Sequence, residues 1–259
     1  MNHATWLQAV CFASAAAGAL ALAAPARAET VTIPAAGSLP AITGNLARPS
    51  GTGPFPAVLV LHGCEGTGAL ENKTVAELAR QGYVALAIDT LAPQGLKNAC
   101  STPEAFVTSA RYAYASLGWL ANQPYVVPDH LGAVGFSMGA MEILGLIDPV
   151  SPRPPPPGLK AAVAYYPACE RRSPNVTVPL LILDGDADDW NPAPPCTRLA
   201  QAATDAGKTV QITTYPGATH AFNQPGNPRT YLGHSLRYDG NADRDADTKT
   251  LAFLASYLK

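Results

Sequence analysis

The residues best equipped for covalent chemistry lie in VGFSMGAMEIL, residues 134–144, where Ser137 stands between Gly135 and Gly139. A serine hydroxyl is a weak nucleophile until a base takes its proton, and the base needs a carboxylate to orient it. The spacing Gly-x-Ser-x-Gly suits a tight strand-to-helix turn. Such a turn forces a strained backbone that only small neighbours tolerate, and it lifts the hydroxyl toward a helix N-terminus. In a chain with 22 glycines the pattern arises readily by chance, so the partners must decide. They are required downstream, carboxylate first and histidine second. VPLLILDG is an apolar run ending in a loop with Asp184, Asp186, Asp188 and Asp189, and KTVQITTYPG leads into a loop bearing His220. The order is met, and the chemistry such a set performs is acyl transfer. Among the other histidines, His62 ends an early strand and reads as loop support. His130 begins the strand whose far end carries Ser137, and His234 is the second choice as base.

The elements that must position these groups alternate. PFPAVLVLHG, YVALAID, HLGAVGF, LKAAVAYY, VPLLILDG and KTVQITTYPG are continuous apolar or β-rich runs, as expected of strands buried on both faces of a parallel sheet. Between them GALENKTVAELARQG reads as a helix stopped by Gly82, and the stretch from Thr102 to Pro124 as a second, with Thr102 as cap and Pro103 at its first position. SMGAMEILGLI follows as a third, PAPPCTRLAQAATDAG as a fourth, and DADTKTLAFLASYLK, residues 245–259, as the last. ETVTIPA and AITGNLARP form a short β-like entry, and PRPPPPG, residues 152–158, is a stiff connection within one domain. The expected architecture is α/β, a mostly parallel, doubly wound sheet flanked by helices.

The chain opens with an apolar, alanine-rich run from about Trp6 to Ala24, followed by Ala26-Arg27-Ala28, the small-x-small pattern of a signal-peptidase site. Residues 1–28 are expected to be a signal peptide and 29–259 the mature domain. A membrane anchor is the competing reading, although no basic stop signal follows the run. The formal net charge is −2, and removing residues 1–28 takes away one charged residue, Arg27. That balance speaks against a nucleic-acid or anionic-membrane partner. Cys64, Cys100, Cys169 and Cys196 would remain, an even number that favours two disulfides in an exported protein. No C-x-x-C or H-x-x-x-H spacing suggests a metal site.

LVLHGCEG, QGYVALAIDTLAPQG, GAVGFSMG, LILDGDADDWNP and YPGATHAF together resemble the dienelactone hydrolase family of α/β-hydrolases, over essentially all of residues 30–259. The resemblance implies Asp188 as the acid, because Gly185, Asp188 and Pro192 match the family's G-x-x-D-x-x-x-P. It implies His220 as the base, in Tyr215-x-Gly217-x-x-His220-x-Phe222. It also implies an oxyanion hole from the backbone N–H groups of Met138 and Cys64. Two departures stand out: the family's cysteine nucleophile is here Ser137, and its loop glutamate falls at Gly63, with Glu65 two residues on. In this fold the strands before Cys64 and Cys100 are adjacent, as are those before Cys169 and Cys196, so the expected bridges are Cys64–Cys100 and Cys169–Cys196. Trp190 is a candidate for the substrate pocket, and Tyr166, Tyr231 and Tyr238 are either pocket or core. The expected activity is that of an exported serine esterase, periplasmic or extracellular, acting on a small ester or lactone. It requires no metal or organic cofactor and works as a monomer or small homo-oligomer. A peptidase or amidase like the prolyl oligopeptidases, and a catalytically silent binding protein, are the alternatives.

Overall fold

The computed structural model describes residues 28–150 and 158–259, together with Met1 and Pro156. Apart from those two residues, the expected signal peptide up to Arg27 and the proline-rich connection lie outside the described residues. The apolar runs form one eight-stranded sheet, β1 (Ala28–Ile33), β2 (Ile42–Ala47), β3 (Phe55–Leu61), β4 (Val84–Ile88), β5 (Val126–Phe136), β6 (Leu159–Tyr165), β7 (Leu180–Gly185) and β8 (Val210–Tyr215). Their spatial order is β1-β2-β4-β3-β5-β6-β7-β8. From β4 to β8 every pairing is parallel, while β2 runs antiparallel to both β1 and β4. The chain thus enters through a hairpin at one edge and then winds parallel.

The helices α1 (Ala69–Arg80), α2 (Glu104–Ala121), α3 (Met138–Leu146), α4 (Ala193–Asp205) and α5 (Gly240–Leu258) cover both faces. On one side Tyr112, Leu117, Ile143 and Leu199 from α2, α3 and α4 pack on Leu59, Leu86 and Ile182. On the other, Val75 and Leu78 of α1 and Phe253 and Leu254 of α5 pack on Val58, Val60, Val163 and Leu183. Alternate residues of a strand therefore feed opposite layers, which is why these strands read as unbroken apolar runs. Each such Val, Leu or Ile side chain contributes about 1.5–3 kcal/mol by leaving water.

Three boundaries differ from the sequence expectation. Thr102 makes no side-chain cap. Its carbonyl accepts the Ala105 N–H and that of Pro103 accepts the Phe106 N–H, so a tighter turn precedes α2, which starts at Glu104. The last helix begins at Gly240, well before residue 245, because the Asp239 carboxylate accepts the N–H groups of Asn241 and Ala242 at 2.9 and 3.1 Å and starts it early. A two-stranded hairpin, β9 (Arg229–Tyr231) and β10 (His234–Leu236), stands apart from the main sheet, where the sequence pattern shows no element. No helix among the described residues is long and apolar enough to cross a membrane.

Candidate active site

β5 ends at Phe136 and α3 begins at Met138, so Ser137 alone makes the turn, at φ 49° and ψ −107°. That positive φ in a non-glycine residue is a strained conformation of the kind found at functional turns. Packing enforces it. A Cβ at Gly135 would lie 2.4 Å from the Gly139 carbonyl oxygen, and one at Gly139 would lie 2.5 Å from that of Leu61. Both glycines are required by the close approach of α3 to β3 and β5. Gly139→Ala should therefore destabilise the fold by about 3 kcal/mol or more. A loss of that size lowers Tm by about 6 °C or more in a domain of this length, so a thermal melt within 2 °C of wild type would show that the turn has slack this geometry denies it.

At the carboxyl edge of the sheet the structure brings Ser137, His220 and Asp188 into one hydrogen-bonded line. His220 Nε2 lies 2.9 Å from Ser137 Oγ, and His220 Nδ1 lies 2.7 Å from Asp188 Oδ2. The other oxygen of Asp188 accepts the N–H groups of Trp190 and Asn191, both at 2.8 Å, so the carboxylate cannot rotate away. Two rings pack against His220, that of Tyr166 at 4.8 Å and that of Trp190 at 5.1 Å. Asp188 and His220 are both buried. With Nδ1–H donated to an anion, Nε2 faces the serine as an acceptor, the arrangement a general base needs.

The other candidates sit elsewhere. Asp186 accepts the Gly217 N–H, and Asp189 accepts that of Ser235 and pairs with His234. His234 stacks on Trp190 at 4.6 Å. His130 is paired with Asp129. His62 ties two loops: its Nε2 accepts the Thr90 N–H at 3.2 Å, so its Nδ1–H donates to the Gly63 carbonyl at 2.7 Å. Burial lowers its pKa, keeping the ring neutral.

Of the N–H groups around Ser137, its own goes to Tyr165, that of Gly139 to His62 and that of Met141 to Ser137. Met138 opens α3, where helix geometry offers its N–H no partner within the helix. Cys64 follows β3 beside it and is joined to Cys100, while Cys169 is joined to Cys196. The first bridge anchors the loop after β3 to the loop after β4. A cavity of about 290 Å³ opens over Ser137, with Cys64, Phe136, Trp190 and His220 among its lining residues. Tyr166 also lines it, whereas Tyr231 packs beside Trp190 at 6.0 Å and Tyr238 bonds to Asp243. Glu71 lines it too, a residue that sequence reasoning misses. A signal exists, since Gly68-x-x-Glu71 is the spacing at which a carboxylate reaches back to a helix start. No group of three His, Cys, Asp or Glu side chains among the described residues could hold a metal ion.

Known proteins resemble this chain in sequence and fold. A Bradyrhizobium protein provisionally named a 2-oxo-3-(5-oxofuran-2-ylidene)propanoate lactonase is 28% identical over 200 residues, covering 69% of this chain and 78% of that one. A protein of Methylorubrum extorquens, provisionally named a carboxymethylenebutenolidase, is 31% identical over 204 residues, covering 68% of this chain and 66% of the other. Among solved structures, a provisionally named dienelactone hydrolase from Klebsiella pneumoniae superposes with a TM-score of 0.70 at 23% identity, covering 89% of this chain and 99% of its own. The family model described as the dienelactone hydrolase family matches residues 42–258. The chain belongs to the dienelactone hydrolase family and is a hydrolase.

Proposed function

We propose that the protein is an exported serine esterase that cleaves small soluble esters or lactones through Ser137, His220 and Asp188. The observation that carries this reading is the continuous hydrogen-bonded line from Ser137 Oγ through His220 to Asp188 Oδ2, at 2.9 and 2.7 Å. In the reaction His220 Nε2 takes the Ser137 proton as Oγ attacks the ester carbonyl. Asp188 holds the tautomer and stabilises the imidazolium that forms. The carbonyl oxygen, now an anion, is received by the N–H groups of Met138 and Cys64, each donor being worth about 3 kcal/mol in enzymes that use one. His220 then gives its proton to the departing alcohol. Water attacks the acyl-enzyme with the same histidine as base, releasing the acid and restoring Ser137.

The cavity of about 290 Å³ supports a small substrate, since drug-sized ligands occupy pockets of roughly 300 to 1,000 Å³. Trp190 supplies an apolar wall for the acyl or alcohol group. The name of the Bradyrhizobium relative supports including lactones. Two disulfides accord with export to an oxidising compartment, with residues 1–28 as the signal peptide and 29–259 as the mature domain.

The test is hydrolysis of p-nitrophenyl acetate, butyrate and octanoate by the mature protein, together with labelling by a fluorophosphonate. Acetate and butyrate should turn over, and octanoate should fall to roughly a tenth or less of their kcat/KM, because overfilling a cavity of about 290 Å³ costs about 1–3 kcal/mol. No label at Ser137 and no turnover of any of the three would sink the proposal.

A further inference from the structure

The cavity over Ser137 is unusual in its charges. Its lining includes two acidic residues, Glu65 and Glu71, and among the described residues no lysine or arginine lines it. The two carboxylates are in different situations. Glu65 is partly exposed and compensated from outside: Arg229 donates to its two oxygens, at 3.2 Å from Nη1 and 2.6 Å from Nη2. Glu71 is only 3% exposed and sits in the first turn of α1. Its Oε2 accepts the Gly68 N–H at 2.7 Å, and no ion pair among the described residues reaches it.

A helix start can be satisfied by a carboxylate standing in water. The backbone N–H of Glu71 also supports its carboxylate, yet burial in the wall of a cavity outweighs both backbone contacts, so the cap alone does not account for the placement. Burial also pushes the Glu71 carboxyl above its ordinary range. Thr67 and Gln224 share the lining with it, while Phe136, Trp190 and Leu236 are apolar.

We propose that Glu71 is a specificity-determining residue: it receives a hydroxyl of an uncharged, hydroxyl-bearing ester, and the cavity rejects esters that carry a carboxylate. The inference rests on the serine-esterase reading and narrows its substrate class. A hydroxyl donated to Glu71 is a hydrogen bond to a charged or charge-sharing group inside a water-poor site, the strong kind. A substrate carboxylate in the same place would lose its water, meet no cation and lie beside another acid.

Two substrate pairs test this with the mature protein. 4-(Hydroxymethyl)phenyl acetate, with its hydroxyl where 4-acetoxybenzoate carries its carboxylate, should be cleaved with a kcat/KM about tenfold above that of 4-ethylphenyl acetate. 4-Acetoxybenzoate should be cleaved about a hundredfold less efficiently than the isosteric, neutral 4-acetoxybenzamide. In Glu71→Gln the second ratio should shrink about tenfold, because the amide keeps an acceptor for the Gly68 N–H but removes the acid. Each ratio is taken within one protein, so a partial loss of folded material cancels. Wild-type ratios near unity, or a charge ratio unchanged in Glu71→Gln, would overturn the assignment while leaving the esterase reading intact. Absence of turnover on every ester, with no fluorophosphonate label, would overturn both.

Discussion

Ser137→Ala should lower turnover of p-nitrophenyl acetate by about a millionfold, to the level left by binding and oxyanion contacts alone. The reason is that the nucleophile cannot be replaced locally. The cavity holds no cysteine thiol, since Cys64 is locked to Cys100, and the nearest acidic residues lining it are held by Gly68 and Arg229. The fold should be retained, because alanine bears the same backbone strain at φ 49° as serine does and fills almost the same space. His220→Ala should fall to the same floor, and the double variant no further, because residues that act as one unit lose their joint effect once. The measurements are steady-state kinetics and fluorophosphonate labelling of the three variants beside wild type. A Ser137→Ala protein retaining a hundredth of wild-type activity would mean that the hydrogen-bonded line is not the reacting centre.

Much of that centre is legible in the amino-acid sequence, for identifiable reasons. The strands of a doubly covered sheet bury both faces, so β3, β5 and β7 announce themselves as apolar runs, and groups at their ends fall at one edge by topology. Ser137 and Asp188 each follow such a run, whereas His220 follows β8, a partly exposed edge strand marked by its β-branched residues. What the sequence hides depends on burial and on short polar segments. β9 and β10 have three residues each, RTY and HSL, too brief and too polar to show a period. They dock through Arg229 to Glu65, Tyr231 to Asn98 and Ser235 to Asp189, contacts of long sequence separation that no local pattern encodes. The early start of α5 is masked by its polar first turn, where Asp239 caps rather than packs. Glu71 has the spacing of a helix-start cap, and only the cavity beside it shows that the cap also faces the site.

The four acids at the end of β7 and in the loop beyond it are the hardest part to read, since the family resemblance selects Asp188 but says nothing about proton occupancy. Asp188 and Asp184 should answer the same substitution in opposite ways. Asp188 is fully engaged as an anion, by two N–H groups on one oxygen and His220 on the other. Asp184 is buried, its Oδ1 accepts the Gly185 N–H at 3.1 Å, and its Oδ2 has no partner among the described residues. Burial first, and the charge of Asp188 second, push its carboxyl up to about 8. Burial therefore favours the neutral form of Asp184 at pH 7. Asp188→Asn presents an amide to Nδ1 and favours the tautomer with the proton on Nε2, where it no longer accepts from serine, so kcat should drop by about ten thousandfold. Asp184→Asn should leave kcat within about threefold, because removing a neutral acid takes no charge from the site.

Its effect lies in stability. A carboxyl whose folded pKa is raised contributes fully below its unfolded value of 3.8 and loses that contribution as pH climbs to about 8. The wild type should carry the whole penalty at pH 8 and none near pH 4, and Asp184→Asn should carry it at neither. The variant should thus match wild type near pH 4 and gain about 5 kcal/mol by pH 8. For a chain of this size that is a Tm difference of about 10 °C or more. His62, whose pKa is lowered by burial, weakens the fold as pH drops below 6.5, but it does so in both proteins and cancels in the difference. Melts at pH 4, 6 and 8 decide the matter. A difference that does not grow with pH would mean Asp184 is ionised in the folded chain, and the triad acid would then be working beside a second negative charge.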